Sequence, residues 1–379
     1  MKIATTTLAF CVAALLTLGL VMLYSTGLYS KPDVASPASR FFVSQLTWCV
    51  LGIVACITAA CVDYRKLKAV AWPLYGVVLV LLVVVLKTKA VNGAHRWFSF
   101  PGVNFQPSEL AKLALILALA WYVDRYSRQM HTFKRGILLP GVIIGAVLGL
   151  IFVEPDRGTT ILLAAVSGSM LLIAGVRWHY IISAGVLGVI GLAVSIIHDP
   201  MRMNRIFSWL DLEETKTGVG MQGYQAMLAL GSGGWFGLGL GNGRQKLGFV
   251  SQNQTDFILS VIGEELGLVA TLAVLIAFIV IVLCGIYIAM RARDTFGTML
   301  ASGITFLIGL QAFINIGVVT SALPNKGLAL PFISYGGSSL LAMFTCVGIL
   351  FSVARQAREG ELFKSKNPFA TDELSPQTS

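Results

Sequence analysis

Ionisable side chains inside apolar spans cost several kcal/mol unless they are paired or put to use. Four short segments of this 379-residue chain place them there. In Gln106-Pro107-Ser108-Glu109-Leu110-Ala111-Lys112, a proline sits at a helix start, and Glu109 and Lys112 stand on one helix face, spaced to pair. That pair either fixes helix packing or lines a polar cavity and positions a reacting group or a phosphate. Glu154-Pro155-Asp156-Arg157-Gly158-Thr159 breaks the chain between two apolar stretches, where Asp156 suits either a helix cap or a cavity acid. Asp256, in Thr255-Asp256-Phe257-Ile258, precedes a long apolar helix and shares a face with Ser260 and Gly263; it reads as an N-cap or as an acid facing a site. Glu264 and Glu265 just beyond it read as packing contacts of second rank. The turn-rich run Leu330-Pro331-Phe332-Ile333-Ser334-Tyr335-Gly336-Gly337-Ser338, with the preceding Ala322–Gly327 turn, is full of donors that cradle an anion such as a phosphate or form a tight re-entrant turn.

The elements that must position these groups are membrane helices. Hydrophobic residues make up 56% of the chain and charged ones 12%, and the mean hydropathy is +0.79, far from soluble composition. Apolar stretches near 5–27, 41–62, 69–87, 108–123, 137–153, 158–175, 180–197, 256–289, 298–320 and 338–354 predict an all-α integral membrane protein of about ten spans. The first has no small-residue cleavage site and reads as a retained span. With both termini cytoplasmic, the inner segments hold about 15 basic residues against about 7 in the short outer loops. Topology and an anionic lipid surface therefore explain the formal net charge of +10, and nucleic acid is not implied. One long extracytoplasmic loop, residues 198–255 between spans 7 and 8, carries Arg202 and Arg205 and then a glycine-rich stretch from Gly231 to Gly243; such a loop should cap or re-enter a cavity. Residues 1–363 read as one polytopic domain, and 364–379 as a disordered cytoplasmic tail. The six cysteines fall in apolar stretches and predict no disulfide framework, and the four scattered histidines predict no zinc site. Gly218-Val219-Gly220-Met221-Gln222-Gly223 matches a dinucleotide fingerprint only by letter, since no strand precedes it, and no ATP-binding P-loop occurs. No internal repeat supports an inverted-repeat transporter.

Several motifs in one order carry a family resemblance over almost the whole chain. They are Asn92-Gly93-Ala94-His95-Arg96-Trp97, the Gln106–Lys112 and Glu154–Thr159 segments, Gly239-Leu240-Gly241-Asn242-Gly243-Arg244-Gln245-Lys246, Thr255–Gly267 and Leu330–Ser339. Together they resemble the SEDS (shape, elongation, division and sporulation) family. Gln245-Lys246-Leu247, Ile262–Glu265 and Asn325-Lys326-Gly327 look more like its division members than its elongation members. The resemblance implies a ten-helix peptidoglycan glycosyltransferase that polymerises lipid II on the outer face of the cytoplasmic membrane. It also implies a class B penicillin-binding protein and other division-complex membrane proteins as partners.

The acid matching the family's proposed catalytic position is Asp256. Deprotonation of the acceptor hydroxyl by one base, with inversion at the donor carbon, suffices for the chemistry. Leaving-group charge calls for cations, and Lys112, Arg96, Arg202, Arg205 and Lys246 are the candidates, helped by a divalent cation (Mg or Mn) that family members are thought to use. Glu109 and Lys112 are expected as a cavity pair and Asp156 as a supporting acid, with Trp97, Ser334, Tyr335, Gly336, Gly337 and Ser338 around the substrate. The chain departs from the family where relatives carry a Pro-Glu-x-His run: here Ser251-Gln252-Asn253-Gln254 puts amides in place of Glu and His, so metal ligands stay unassigned. Leu212 stands where a proline often follows the arginine-rich loop segment. The competing functions are a lipid II flippase, which needs a cavity reachable from both sides, and a non-catalytic division scaffold; candidate acids clustered on the outer side favour the transferase.

Overall fold

The structure is a computed structural model that describes residues 1–27, 37–88, 96–100, 103–211, 213–216, 218, 220–244 and 255–366. Seven helices come first: α1 Lys2–Gly27, α2 Pro37–Cys61, α3 Leu67–Val85, α4 Pro107–Tyr126, α5 Leu139–Val153, α6 Arg157–Ile173 and α7 Trp178–Ile197. Two shorter ones follow, α8 Pro200–Leu210 and α9 Met221–Ser232, and then α10 Ile258–Met290, α11 Thr295–Val319 and α12 Gly337–Lys366. Strands β1 Phe98–Phe100 and β2 Val103–Phe105 pair antiparallel ahead of α4.

Among the described residues, eight helices are long and apolar enough to cross a membrane, and α6 is a shorter apolar one. With α4, whose Glu109, Lys112, Asp124 and Arg125 lower its hydropathy, the expected ten spans are present. α4 can hold those charges because protein surrounds it: it is buried on nearly every side, packed by α3 and α11. At the opposite extreme, no residue of α7 is buried, and most of its valines, leucines and isoleucines face outward, while Leu192 and Ile196 line a cavity. α12 lies along α2, α10 along α11 and α1, and α6 along α11, so the polar-bearing helices form the centre and uniformly apolar ones the rim.

One end of the bundle is closed by ionic and capping bonds. Asp294 caps α11 through Gly297 N and accepts from Tyr64 Oη at 2.7 Å, while Lys68 Nζ lies 2.7 Å from Asp124 Oδ2. All six cysteines are free thiols.

Two expectations gain detail. The long 198–255 connection between spans 7 and 8 contains α8 and α9. Asp199 caps α8 through Met201 N, with Pro200 at its first position, and Trp209 Nε1 donates to Ser321 O at 2.8 Å to hold it down. Likewise α12 continues to Lys366, past the 363 boundary; hydropathy marks where a span leaves the membrane, whereas the helix persists until the approach of Pro368. The remainder of the tail lies outside the described residues.

The glycine-rich stretch of the long segment is explained by α10. This helix of 33 residues exceeds the roughly 20 needed to span a bilayer, and it kinks at Gly267, which adopts φ 78° and ψ −173°. The backbone groups around the kink bond to the glycine-rich segment: Leu268 N donates to Gly234 O at 2.9 Å and Val269 N to Trp235 O at 3.2 Å, while Leu238 N donates to Glu264 O and Gly239 N to Glu265 O. Glu264 and Glu265 are anchors here. Glu264 Oε1 accepts from Arg244 N at 2.7 Å, and Glu265 Oε2 accepts from Ser25 Oγ at 2.7 Å and Gly241 N at 3.0 Å. A side chain at 267 has no room, since its Cβ would meet Gly237 N at 2.4 Å and Trp235 O at 2.5 Å. Gly267→Val is therefore expected to destabilise the fold by roughly 3 kcal/mol or more, read as a lowered thermal unfolding midpoint in detergent. An unchanged midpoint would contradict the kink.

Candidate functional site

The site lies at the end of the bundle that carries α8 and α9, where four breaks between helices meet. Each break is written locally. Pro107 starts α4, Asp156 caps α6 through Thr159 N at 3.1 Å, Asp199 caps α8, and the Pro324–Gly327 turn follows α11. Between them lies a cavity of about 180 Å³. Its charged lining is Arg96, Asp156, Arg157, Arg202, Arg205 and Lys326, five cations against one acid. Such a lining attracts a multiply charged anion and penalises a neutral or cationic guest.

The cations are held in place from outside the cavity. Arg96 donates through Nε to Glu154 O at 3.0 Å and through Nη2 to Pro155 O at 2.5 Å. Arg202 pairs with Asp199 at 2.9 Å, and Arg157 reaches Ser195 Oγ on α7 while its guanidinium lies over the Phe152 ring. Burial and the neighbouring Arg157 hold the Lys326 ammonium below its usual pKa.

Asp256 stands at the rim. Phe257, and not Asp256, occupies the N-cap position of α10, so the capping role is vacant and the carboxylate accepts no hydrogen bond from any described residue. Its neighbours instead fix its backbone. Asn315 Nδ2 donates to Asp256 O at 2.8 Å and to Leu328 O at 2.7 Å, and Ser334 Oγ donates to Thr255 O at 2.6 Å. Gly327, which lines the cavity, leaves the carboxylate its space; a Cβ there would come within 2.7 Å of Asp256 Oδ2. Burial, with the charge of Asp156 behind it and partly offset by Arg96, raises the Asp256 pKa to about 6.

The remaining expected residues are placed differently. Glu109 and Lys112 do pair, at 2.8 Å, but inside the bundle and away from the cavity lining, with Lys112 only 1% exposed. Lys112 Nζ also donates to Gln311 Oε1 at 3.1 Å, and Gln311 Nε2 donates to Ala329 O at 2.8 Å, so the pair supports the 328–330 segment that lies beside Asp256. Several polar groups of the Leu330–Ser338 run are engaged within the protein, and the run lies outside the cavity lining. Leu330 N donates to Ser334 Oγ, Gly336 N to Gln45 Oε1 and Ser338 Oγ to Asn104 O, Tyr335 Oη bonds with Ser44 Oγ, and Gly337 packs on the Trp48 indole. Trp97 is half-buried and outside the cavity lining. Lys246, Gln252, Gln254 and Leu212 lie outside the described residues. Among the described residues no group of three or more His, Cys, Asp or Glu is arranged to hold a metal ion, so no step below runs through one.

Four site residues were not picked out from the sequence as such. Arg157 and Lys326 carried a usable signal, being basic residues on short outer loops, against the usual charge bias. Glu154 carried one too, as an ionisable residue at the break between two apolar stretches, whereas Asn315 carried none. Glu154 is fully buried with both carboxylate oxygens unpaired, and burial together with Asp156, against the opposing pull of Arg96, raises its pKa to about 8. Because the unfolded-state value is near 4.5, folding holds this proton, and the stability it contributes is lost as pH rises toward 8. Glu154→Gln should therefore gain stability over the unsubstituted chain by about 1 kcal/mol per pH unit between roughly pH 5 and 8, levelling off above. Thermal unfolding midpoints across that range check it, and a pH-independent difference would contradict the buried, proton-holding carboxyl.

The arrangement defines a class: a polytopic α-helical membrane protein with a cationic, anion-receiving cavity at one end of its bundle and an unbonded acid at the rim. Residues 6–359 match the FtsW/RodA/SpoVE family of cell cycle proteins, and the chain belongs to that family. It is 40% identical over 350 residues to a probable peptidoglycan glycosyltransferase FtsW of Trichlorobacter lovleyi, covering 92% of both chains. It is 37% identical to stage V sporulation protein E of Bacillus subtilis, covering 91% of this chain and 95% of that one. Among solved structures, it resembles a chain of a peptidoglycan synthase complex that coordinates polymerization and crosslinking, with TM-score 0.78, 28% identity and coverage of 92% and 97%. It also resembles the rod shape determining protein RodA of Thermus thermophilus, with TM-score 0.69, 28% identity and coverage of 92% and 96%.

Proposed function

We propose that this chain is a peptidoglycan glycosyltransferase of cell division, polymerising lipid II at the outer face of the cytoplasmic membrane with both termini inside and its work at the septum. The observation that carries the assignment is the pairing of an unbonded carboxylate, Asp256, with a cavity walled by four arginines and Lys326. In the reaction the 4-hydroxyl of the acceptor sugar attacks the anomeric carbon of the donor. The new C–O bond forms as the bond to the lipid diphosphate breaks, the hydroxyl proton passes to Asp256, and the diphosphate leaves with its electron pair into the cationic cavity. Arg96, Arg157, Arg202, Arg205 and Lys326 neutralise the charge that grows on that leaving group. Asp156, spent on capping α6 and on Thr159 Oγ1, raises the basicity of Asp256 without taking the proton itself. A class B penicillin-binding protein that crosslinks the product is the partner that the similar synthase complex supports, and other division-complex membrane proteins are proposed beside it.

The test is polymerisation of labelled lipid II by the purified chain, alone and with such a partner. Glycan strands are expected; none, with folding verified and the partner present, would rule out the transferase. The carboxylate acts as base only when deprotonated, so kcat/KM should rise with pH to a plateau above about 6 and fall tenfold per unit below it. A rate independent of pH between 5 and 7 would remove Asp256 from the proton transfer.

A further inference from the structure

A second cavity of about 110 Å³ adjoins the cationic one. The two share Gly158, Pro324 and Lys326, so only two side chains stand in the common wall. Beyond that wall the chemistry changes completely. Ile161, Ile314, Val318 and Leu323 line the second cavity, and none offers a hydrogen bond to a sugar hydroxyl or a phosphate. Its place in the fold is equally specific. Ile161 lies one turn inside α6, and Ile314 and Val318 occupy the last two turns of α11, so it runs down roughly 6–8 Å from the helix ends, alongside the apolar part of both helices. Lys326 belongs to both cavities, as a long side chain does when its stem covers apolar surface and its ammonium stays with anions.

A polar cationic chamber opening beside a narrow apolar one fits a ligand with a multiply charged head and a single branched hydrocarbon chain. We propose that the apolar cavity between α6 and α11 receives the first isoprenoid segment of the polyprenyl diphosphate whose phosphates occupy the cationic cavity, making Ile161, Ile314, Val318 and Leu323 the residues that select the lipid carrier. This rests on the diphosphate assignment of the preceding section and adds to it a second recognition element. The small volume of about 110 Å³ admits one chain, so a phospholipid could seat only one of its two acyl chains there. Seating the first segment also fixes the direction in which the leaving group points, so the tail holds the donor carbon in register with Asp256.

The experiment measures binding by the full chain in phosphatidylcholine nanodiscs, with geranylgeranyl diphosphate and inorganic diphosphate as probes. The prenyl compound is expected to bind at least about tenfold more tightly than inorganic diphosphate beyond its own partition into empty nanodiscs, the size of effect that burying a few methylenes gives. Ile314→Trp, which fills the cavity, should abolish that advantage and leave inorganic diphosphate binding unchanged. Leu323→Asn, on a partly exposed turn that tolerates a polar residue, should reduce it several-fold and provides a second reading independent of any packing defect from the tryptophan. Diphosphate binding that persists with an undiminished prenyl advantage in both variants would overturn the tail site alone. Binding of neither probe would overturn it together with the anion role of the cationic cavity, while lipid II polymerisation separately decides the transferase. Equal competition by phosphatidylglycerol would assign the cavity to bulk phospholipid and overturn the proposal.

Discussion

Replacing Asp256 by asparagine is expected to lower lipid II polymerisation by about 10²–10⁴-fold, the range over which a positioned general base contributes. The substitution keeps shape and polarity while removing the proton acceptor. Its structural cost should be near zero or favourable. The carboxylate accepts no hydrogen bond from the described residues, and burial already works against its charge, so an amide at this position removes an unfavourable ionisation and leaves Asn315 and Ser334 holding the backbone as before. Lost polymerisation together with an unchanged or raised unfolding midpoint is thus the signature of the base. Lost polymerisation with a lowered midpoint would point to a structural acid, and normal strands would remove Asp256 from the reaction.

Lys112→Ala carries the largest expected effect on stability. It leaves Glu109 as an uncompensated buried carboxylate in the first turn of α4, where its Oε2 already lacks a partner and its Oε1 would lose the only donor seen among the described residues, at a cost of roughly 3–5 kcal/mol. Activity should fall as well, through a specific route. Without the ammonium, Gln311 Oε1 has no donor, the amide is no longer fixed toward Ala329 O, and the 328–330 segment that Asn315 ties to Asp256 loosens. The double variant Glu109→Gln with Lys112→Met removes both charges and should recover most of the lost stability, since the penalty comes from stranding one ion and not from losing the pair. A single variant as stable as the parent, or a double variant no better than the single, would contradict a buried pair.

These two residues show how differently legible the site was. The sequence spacing of Glu109 and Lys112 implied their pairing, because a helix alone brings residues three apart into contact. Whether the pair faces a cavity or the core depends on which side of α4 the other helices cover, and that is not a local property. Asp256 likewise announced itself by position, yet the choice between cap and free acid turned on a single residue of helix register, with Phe257 at the cap. The Leu330–Ser338 run was hard to place for a related reason. Its composition is that of an anion cradle, but Gln45 and Asn104, distant in sequence, engage Gly336 N and Ser338 Oγ, and the run lies outside the lining of the cationic cavity.

What the sequence by itself determined is the class of the fold, its ten spans and where they break. Those follow from hydropathy, proline and capping residues, each acting over a few neighbours. Only the tertiary structure decided that Arg96, Arg157, Arg202, Arg205 and Lys326, drawn from four separate breaks, converge on one cavity, that Glu154 is sealed away from solvent, and that the glycine-rich segment docks on the α10 kink through Glu264 and Glu265. The physical reason is that a span is set by the free energy of moving one stretch of chain into lipid, whereas a site is set by which spans pack side by side, and that is fixed by shape and hydrogen bonding between residues far apart in the chain.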